Sequence, residues 1–448
     1  MTPITLFWHR RDLRVQDNVG LAAALNSGLP AVGFFCFDDN ILDHLPRRDA
    51  RVGFIHHELQ RVQSEYRSAG GELLAFHDNP RHALQRATAQ CEEAGFEVVQ
   101  IHANRDYEPY PIQRDAEVAA WCEERGIDFQ TYDDHVVLPP ETVLKDDGTP
   151  YTVFTPYSKK WHKVFEAAEV DLLADAGSHV AGRLVPWDAA PTPLPSLEAM
   201  GFDPESGDPA GWSAFAERLP DPDVLARYAE RRDTPSVVGT ARMSLHLRFG
   251  TTSVRSLARE GFEHSDKWLT ELIWREFYQA ILYHFPHSAS DAFRAKYDRV
   301  PWRHDEDHFA AWCEGRTGYP LVDAGMRELN ATGFMHNRVR MVVASFLCKH
   351  LLLDWRWGER YFAEKLLDFE LASNVGGWQW ASGSGCDAAP YFRVFNPESQ
   401  LKKFDPAGTY VKQWVPEWGT SAYPEPIVEH KFARQRAIDT YKAALADT

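Results

Sequence analysis

Residues 4–37 contain ITLFWH, NVGLAAALNSG and AVGFFCF in succession: an apolar run of strand length, a helical pattern that stops at Gly28, and a second apolar run. The unit repeats. ARVGFIHHELQRVQSEYRSAGG (50–71) leads into ELLAFHD (72–78), PRHALQRATAQCEEAG (80–95) into FEVVQIHAN (96–104), and PIQRDAEVAAWCEERG (111–126) into DFQTYDD (128–134). Short apolar runs bounded by turn residues read as buried strands, and the longer patterns between them have the helical period. The helical patterns end at Gly28, Gly70, Gly95 and Gly126, where a left-handed cap meets no Cβ. This alternation predicts an α/β domain over residues 1–134, built on a doubly wound, five-stranded parallel sheet.

Such a sheet places its ligand cleft at the carboxyl ends of the strands. No G-x-G-x-x-G follows the first strand; HRRDLR (9–14) occupies that turn, which argues against a Rossmann-type dinucleotide there and by itself reads as a solvated basic loop. From 135 to 222 the pattern breaks, with prolines at 139, 140, 150, 156, 186, 191, 193 and 195. This stretch is expected to be a long connector with one short helix near YSKKWHKVFEAA (157–168). Residues 223–448 then carry long 3.6-period segments such as DKWLTELIWREFYQAILYHF (266–285) and NRVRMVVASFLCKHLLL (337–353), so a larger, nearly all-helical domain is expected.

A chain of 448 residues with 44% hydrophobic and 25% charged residues is a multi-domain globular protein with material to enclose a large ligand. The net charge of −17 argues against loose association with nucleic acid or anionic membranes through the overall field, but not against a local basic patch. The six cysteines form no CxxC pair, so no zinc or iron–sulfur site is indicated and no metal is expected. Scattered thiols, a start without a signal peptide and no apolar run of membrane length point to a cytoplasmic protein.

In KWLTELIWREFYQAI (267–281), Glu271, Trp274, Arg275 and Tyr278 stand at i, i+3, i+4 and i+7 and share one helical face. A surface Glu271–Arg275 pair would explain the charges but not the tryptophan between them. In MHNRVRM (335–341), Asn337 and Met341 share a face, and Arg338 and Arg340 suit either phosphate pairing beside a stacked base or a solvated surface. Asp368 and Glu370 can pair with such an arginine or accept from a ligand hydroxyl or ring N–H. Residues 354–396 hold four tryptophans, which ordinarily means core, although readily oxidised indoles in one segment also suggest electron movement.

Together these blocks resemble the photolyase and cryptochrome family, specifically the bacterial and archaeal class I cyclobutane pyrimidine dimer photolyases. The resemblance runs through FWHRRDLRVQDN (7–18), GTARMSLHLRFG (239–250), WLTELIWREFY (268–278), GYPLVDAGMRELNATGFMHNRVRM (318–341), DWRWGERYF (354–362), DFELASNVGGWQWASGSGCDAAPYFRVFNP (368–397) and YPEPIVEHK (423–431), nearly the whole chain. It implies an antenna domain, a connector and a helical domain that holds FAD and repairs DNA: light excites reduced FAD, and an electron splits a pyrimidine dimer flipped out of the helix.

Carried over by motif, the resemblance assigns FAD to Tyr228, Thr240, Arg242, Met243, Ser244, Trp274, Arg275, Arg340, Asp368, Glu370 and Asn374. The phosphate loop departs from the family's usual T-S-R-L-S at Ala241 and Met243, which removes a hydroxyl and alters one apolar contact. Asn374 matches the neutral amide beside flavin N5 in dimer photolyases, where plant cryptochromes have Asp and animal ones Cys. The lesion pocket and DNA fall to Glu271, Trp274, Asn337, Arg338, Met341 and Trp380, with Glu271, Asn337 and Asn374 in catalytic roles. Burial among aromatic rings is expected to raise the pKa of Glu271. Trp378, Trp355 and Trp302 match the electron-transfer chain, and Trp357 keeps its reading as core. Phe35, Cys36, Asp38, Arg51, Glu108 and Tyr110 match the antenna site; 8-hydroxy-5-deazaflavin is favoured over methenyltetrahydrofolate or FMN, because Tyr110 and Pro111 replace the Asn-Glu pair of folate binders.

The resemblance implies DNA bearing pyrimidine dimers as partner, no obligate protein partner, and a monomer. To reconcile this with the acidic total, Arg294, Lys296, Arg299, Arg338 and Lys402 are expected to gather at the pocket mouth. The rivals are a cryptochrome-like blue-light receptor without repair activity, against which the lack of an extended tail after residue 448 counts, and a flavoprotein acting on single-stranded DNA.

Overall fold

Strand β1 (Thr2–His9) is the spine of the N-terminal sheet because Ile4, Leu6, Phe7 and Trp8 are all buried, leaving no face for solvent. With β2 (Ala31–Asp38), β3 (Leu73–Asp78), β4 (Phe96–Asn104) and β5 (Asp128–Tyr132) it forms an all-parallel sheet of order β3-β2-β1-β4-β5. Thr5–His9 pairs in register with Ala31–Phe35 on one side, and Thr5–Trp8 with Gln100–Ala103 on the other. The edge strand β5 is the least buried, as its sequence DFQTY allows. This structure is a computed structural model describing residues 1–172, 175–188, 191–204, 212–215 and 217–446.

The crossover helices start on side-chain caps: Asn18 accepts from the Leu21 amide, Asp49 from Arg51, and Asn79 from Arg81 with Pro80 at the first helical position. They end beside the four expected glycines, whose φ values of 69–91° lie in the left-handed region. A further short helix, Asp39–Leu42, was not foreseen; Asp38 caps it at the end of β2.

The HRRDLR turn is not a solvated loop. Arg10 donates to Asp115 at 2.5 Å, Arg11 to Asp106 at 3.1 Å and Glu108 at 2.9 Å, and buried Arg14 to Asp134 at 2.6 Å. Burial acts to raise the Asp134 carboxyl, but Arg14 and Arg255 hold it down at about 2. The acids that neutralise the turn come from residues more than 90 positions away, beyond the reach of local reading.

Two compact units interleave along the chain: Met1–Pro139, Phe165–Leu219 and Met243–Glu260 form one, and Pro140–Val164, Pro220–Arg242 and Gly261–Thr448 the other. Segments of the stretch read as connector therefore belong to each. Its helix is longer than expected, running Phe154–Leu172. Within the first unit, Leu184 bridges Ala31, so part of this stretch extends along the start of β2. Residues 173–174, 189–190, 205–211 and 216 of the expected connector lie outside the described residues.

The second unit is helical around a core containing Trp312, Met326, Val343, Leu347, Trp355, Phe362 and Trp378. Asp266–His284 starts on Ser265, with Asp266 in its first turn and His284 in its last, each charge type suited to the helix dipole. Asn337–Ser345 is α-helical but continues as a π-helical turn, Phe346–Leu351, before ending at Leu352 with φ 54°. Trp355–Lys365 and Leu371–Ser382 pack together, the first capped by Asp354 and the second closed at Gly383.

Candidate active site

On Asp266–His284 the Glu271–Tyr278 face is partly open, and Trp274 stacks on Phe154 with centroids 3.6 Å apart and planes 6° from parallel. Tyr278 follows at 5.6 Å from Trp274. Phe154 comes from the stretch read as patternless connector, so sequence reasoning missed it. Arg275 turns inward: its guanidinium and the Gln279 amide both donate to Glu370 Oε1 at 2.8 Å. Glu271 pairs with Arg232 and lies 3.6 Å from Lys267 Nζ, rather than pairing with Arg275. Its side chain is 26% exposed.

Arg340 and Asp368 form the expected ion pair, with guanidinium–carboxylate distances of 2.9 and 3.1 Å, and Arg340 Nε also donates to the Met335 carbonyl at 2.7 Å. Buried Asn374 donates through Nδ2 to the Glu359 carbonyl at 3.1 Å and to Glu359 Oε1 at 2.9 Å. Burial pushes the Glu359 carboxyl up, and the Asn374 amide opposes that rise. Glu359 was missed, since nothing in RWGERYF marks it as facing Asn374.

The Asn374 commitment leaves its Oδ1 accepting no hydrogen bond among the described residues. One turn on, a Cβ at Gly377 would meet no atom within 4 Å, whereas one at Gly376 would strike the Tyr278 ring at 2.3 Å. An acceptor with no protein partner among the described residues and bare backbone one turn on fit a planar heterocycle that carries N–H donors. Nearby His336 caps Asn337–Ser345 through Nδ1, while its Nε2 is buried and unpartnered among the described residues. Burial holds its pKa down at about 4.

Tyr228 is buried beneath the Arg232 guanidinium, 5.4 Å from its ring centroid. In the loop beginning at half-buried Thr240, Arg242 has φ 51°, unusual for a side-chain-bearing residue, and Met243 has φ −87° and ψ 0°. This left–right alternation turns successive N–H groups to one side, the geometry of an anion nest. Ser244 opens the helix Ser244–Phe249.

Asn337 is exposed at the start of its helix, and half-buried Arg338 donates to Asp233 at 2.8 Å, lies 4.4 Å over Phe404 and approaches the Met341 sulfur at 3.7 Å. Trp380 lines a depression of about 410 Å³, part of it open to solvent, with Tyr278, Val375, Cys386 and Asp387; Glu271, Trp274, Asn337 and Met341 do not line it. The expected basic residues fall into two groups. Arg294 donates to the Cys386 carbonyl at 2.9 Å, with Lys296 and Arg299 exposed on the following turn; Arg338 reaches Phe404, on the helix that carries Lys402.

Trp378 and Trp355 are each 2% exposed members of the helical core, and half-buried Trp302 packs against that core. Trp378 contacts Phe362 at 5.0 Å and Trp312 at 6.0 Å, while Trp302 meets Tyr441 edge-on at 5.8 Å. Trp357 packs on Phe309 and His304. In the first unit the antenna candidates divide. The Tyr110 hydroxyl donates to Asp38 at 2.6 Å, Glu108 pairs with Arg11 and Arg248, Arg51 Nε donates to Asp49 at 2.9 Å, Phe35 packs on Phe37, and the Cys36 thiol donates to the Asp78 carbonyl. No group of three or more potential metal ligands occurs among the described residues, and no described helix is long and apolar enough to cross a membrane.

Two family models match the chain: DNA photolyase over residues 5–174 and FAD binding domain of DNA photolyase over residues 268–421. The deoxyribodipyrimidine photo-lyase of Synechococcus sp. is 38% identical over 480 residues, covering 99% of this chain and 98% of that protein. Its Escherichia coli counterpart is 36% identical, covering 98% of each. Among solved structures, a class III photolyase from Agrobacterium tumefaciens matches with a TM-score of 0.87 at 32% identity, covering 99% of this chain and 98% of that one. A Synechocystis cryptochrome matches with a TM-score of 0.83 at 26% identity, covering 98% and 99%. An archaeal photolyase from Sulfolobus tokodaii, solved with two FAD molecules, matches with a TM-score of 0.81 at 32% identity, covering 98% and 99%. With its parallel sheet and Arg340–Asp368 pair, the chain belongs to the photolyase/cryptochrome family, and its helical portion carries that family's FAD-binding domain.

Proposed function

We propose that this protein repairs cyclobutane pyrimidine dimers in DNA by light-driven electron transfer, acting as a monomer. The observation that carries the reading is Asn374: Nδ2 is committed to Glu359, and Oδ1 accepts no hydrogen bond among the described residues. Bound and reduced, FAD would supply the photoexcited electron that splits the cyclobutane ring. Asn374 Oδ1 would accept from a ring N–H, which favours the reduced state over a form lacking that hydrogen. Arg340 and Asp368 would fix the ring edge, Glu370 held by Arg275 and Gln279 would brace it, and the Arg242–Met243 nest with Tyr228, Thr240 and Ser244 would take the phosphates.

Trp274, backed by Phe154, offers a rigid stacking wall for the extruded dimer, with Met341 and Trp380 as further apolar surface. Glu271 and Asn337 would hydrogen-bond the pyrimidine carbonyls as negative charge arrives on them. Arg338 would pair with a backbone phosphate. Trp302, Trp355 and Trp378 would conduct electrons between the surface and the core. For the antenna we favour 8-hydroxy-5-deazaflavin at Phe35, Cys36, Asp38, Arg51, Glu108 and Tyr110, with methenyltetrahydrofolate, FMN and a second FAD as the competitors to be compared by chromophore extraction.

The test is repair of ultraviolet-irradiated oligothymidine by the purified, reduced flavoprotein in blue light and in darkness. Light-dependent loss of dimers is expected. No light-dependent repair with fully reduced flavin would overturn the assignment and favour the cryptochrome-like receptor.

A further inference from the structure

Five side chains beside the lesion wall alternate in charge. Lys267 Nζ lies 3.6 Å from Glu271, Glu271 pairs with Arg232, Arg232 Nε lies 3.8 Å from Asp233, and Asp233 accepts from Arg338 at 2.8 Å. Glu271 and Arg338 already have roles above; Arg232 and Asp233 do not. The two arginines are well supported, Arg232 over Tyr228 and Arg338 over Phe404, and their side chains are only 16% and 18% exposed. Asp233 is the loose member at 43%. The Arg338 guanidinium is directed at this open carboxylate, and Arg232, held on Glu271, passes 3.8 Å from it, so the two braced arginines beside it present donors that phosphodiester oxygens would use.

We propose that Asp233 limits DNA affinity by self-competition: in the free protein it occupies Arg338 and lies against Arg232, and a backbone phosphate displaces it on binding. The inference rests on the DNA-repair reading above. The exchange is cheap in contacts, because an exposed carboxylate regains hydration when released. It is not free electrostatically, since the released carboxylate stays beside the incoming phosphate and repels it. Like the −17 net charge, this acid weakens loosely held DNA.

The experiment is equilibrium binding of the FAD-loaded protein to fluorescent oligothymidine with and without one dimer, between about 50 and 200 mM salt. Asp233→Asn should bind the dimer oligonucleotide more tightly. Its log K against log salt slope should steepen by about 0.7, so that the affinity lost across that salt range grows by a further factor of roughly three. Asp233→Glu, which keeps the charge, should retain the wild-type slope. If Asp233→Asn lowers the melting temperature, Asp233→Ser makes the same test. Wild-type slope and affinity in the neutral variant, or the same change in Asp233→Glu, would overturn the inference while leaving repair intact. A wild-type protein that does not distinguish the dimer oligonucleotide would instead overturn the function on which it rests.

Discussion

Gly358→Ala probes how tightly Trp378 is held. Gly358 lies in Trp355–Lys365, and a Cβ built on it would stand 2.1 Å from Trp378 Cη2, 2.4 Å from Cζ3 and 2.6 Å from Leu347 Cδ2. Ordinary contact begins near 3.4 Å, so the indole would have to retreat by about 1.3 Å. Phe362 and Trp312 already touch that ring, and Trp378 is only 2% exposed. Alanine gains about 1 kcal/mol in helix propensity over glycine, but overpacking of this kind costs typically 1–3 kcal/mol and more when no void receives the displaced ring. The expected net loss is about 1–2 kcal/mol. Thermal melting should fall by several degrees, and photoreduction of oxidised flavin should slow because its proposed carrier has moved. Repair by chemically reduced enzyme, normalised to folded protein, should survive. The decisive control is a double-mutant cycle: Phe at 378 is smaller, so Gly358→Ala should cost much less in the Trp378→Phe background. Equal costs in both backgrounds would refute the steric argument, and a stable variant with unchanged photoreduction would refute the link between packing and electron supply.

Trp378→Phe alone should abolish photoreduction of oxidised flavin yet leave repair intact once flavin is reduced chemically; loss of both activities would remove Trp378 from the electron path. Glu271→Ala should lower repair yield by roughly tenfold, the size of one lost hydrogen bond, with flavin occupancy unchanged, and an unaltered yield would exclude Glu271 from the chemistry. His336 is held near pKa 4 in the folded state against an ordinary value of 6.5. The unfolded chain therefore takes up a proton that the folded one refuses, and stability falls as pH drops from 6.5 towards 4, by about 2 kcal/mol at pH 5. His336→Asn retains a capping acceptor without titrating, so it should flatten that part of the pH–stability curve; an identical curve would show that His336 does not govern it.

The sheet was legible because its determinants are local. Continuous apolar runs such as AVGFFCF and helices closed at Gly28, Gly70, Gly95 and Gly126 leave one periodic solution, and the structure has it. The Glu271–Tyr278 face was also readable, since helical spacing alone sets which residues share a side. What stayed hidden depends on partners distant in sequence. HRRDLR looks solvated until Asp115 and Asp134 arrive, Trp274 looks unsupported until Phe154 stacks on it, and Asn374 has no visible anchor until Glu359 meets it. The partner of Glu271 stayed hidden for the same reason, because Arg232 lies 39 positions away.

The place of β1 at the centre of its sheet sets a timetable for synthesis. β1 leaves the ribosome ahead of its sheet partners and meets β2 before its other neighbour, β4, which starts at Phe96, about 90 residues behind. At about 5–20 residues per second, that flank stays unpaired for roughly 5–20 s. During this interval an apolar strand presents bare N–H and C=O groups to any passing chain. Yield in a heterologous host should therefore depend more on translation speed and chaperone supply between β1 and β4 than on the finished protein's stability.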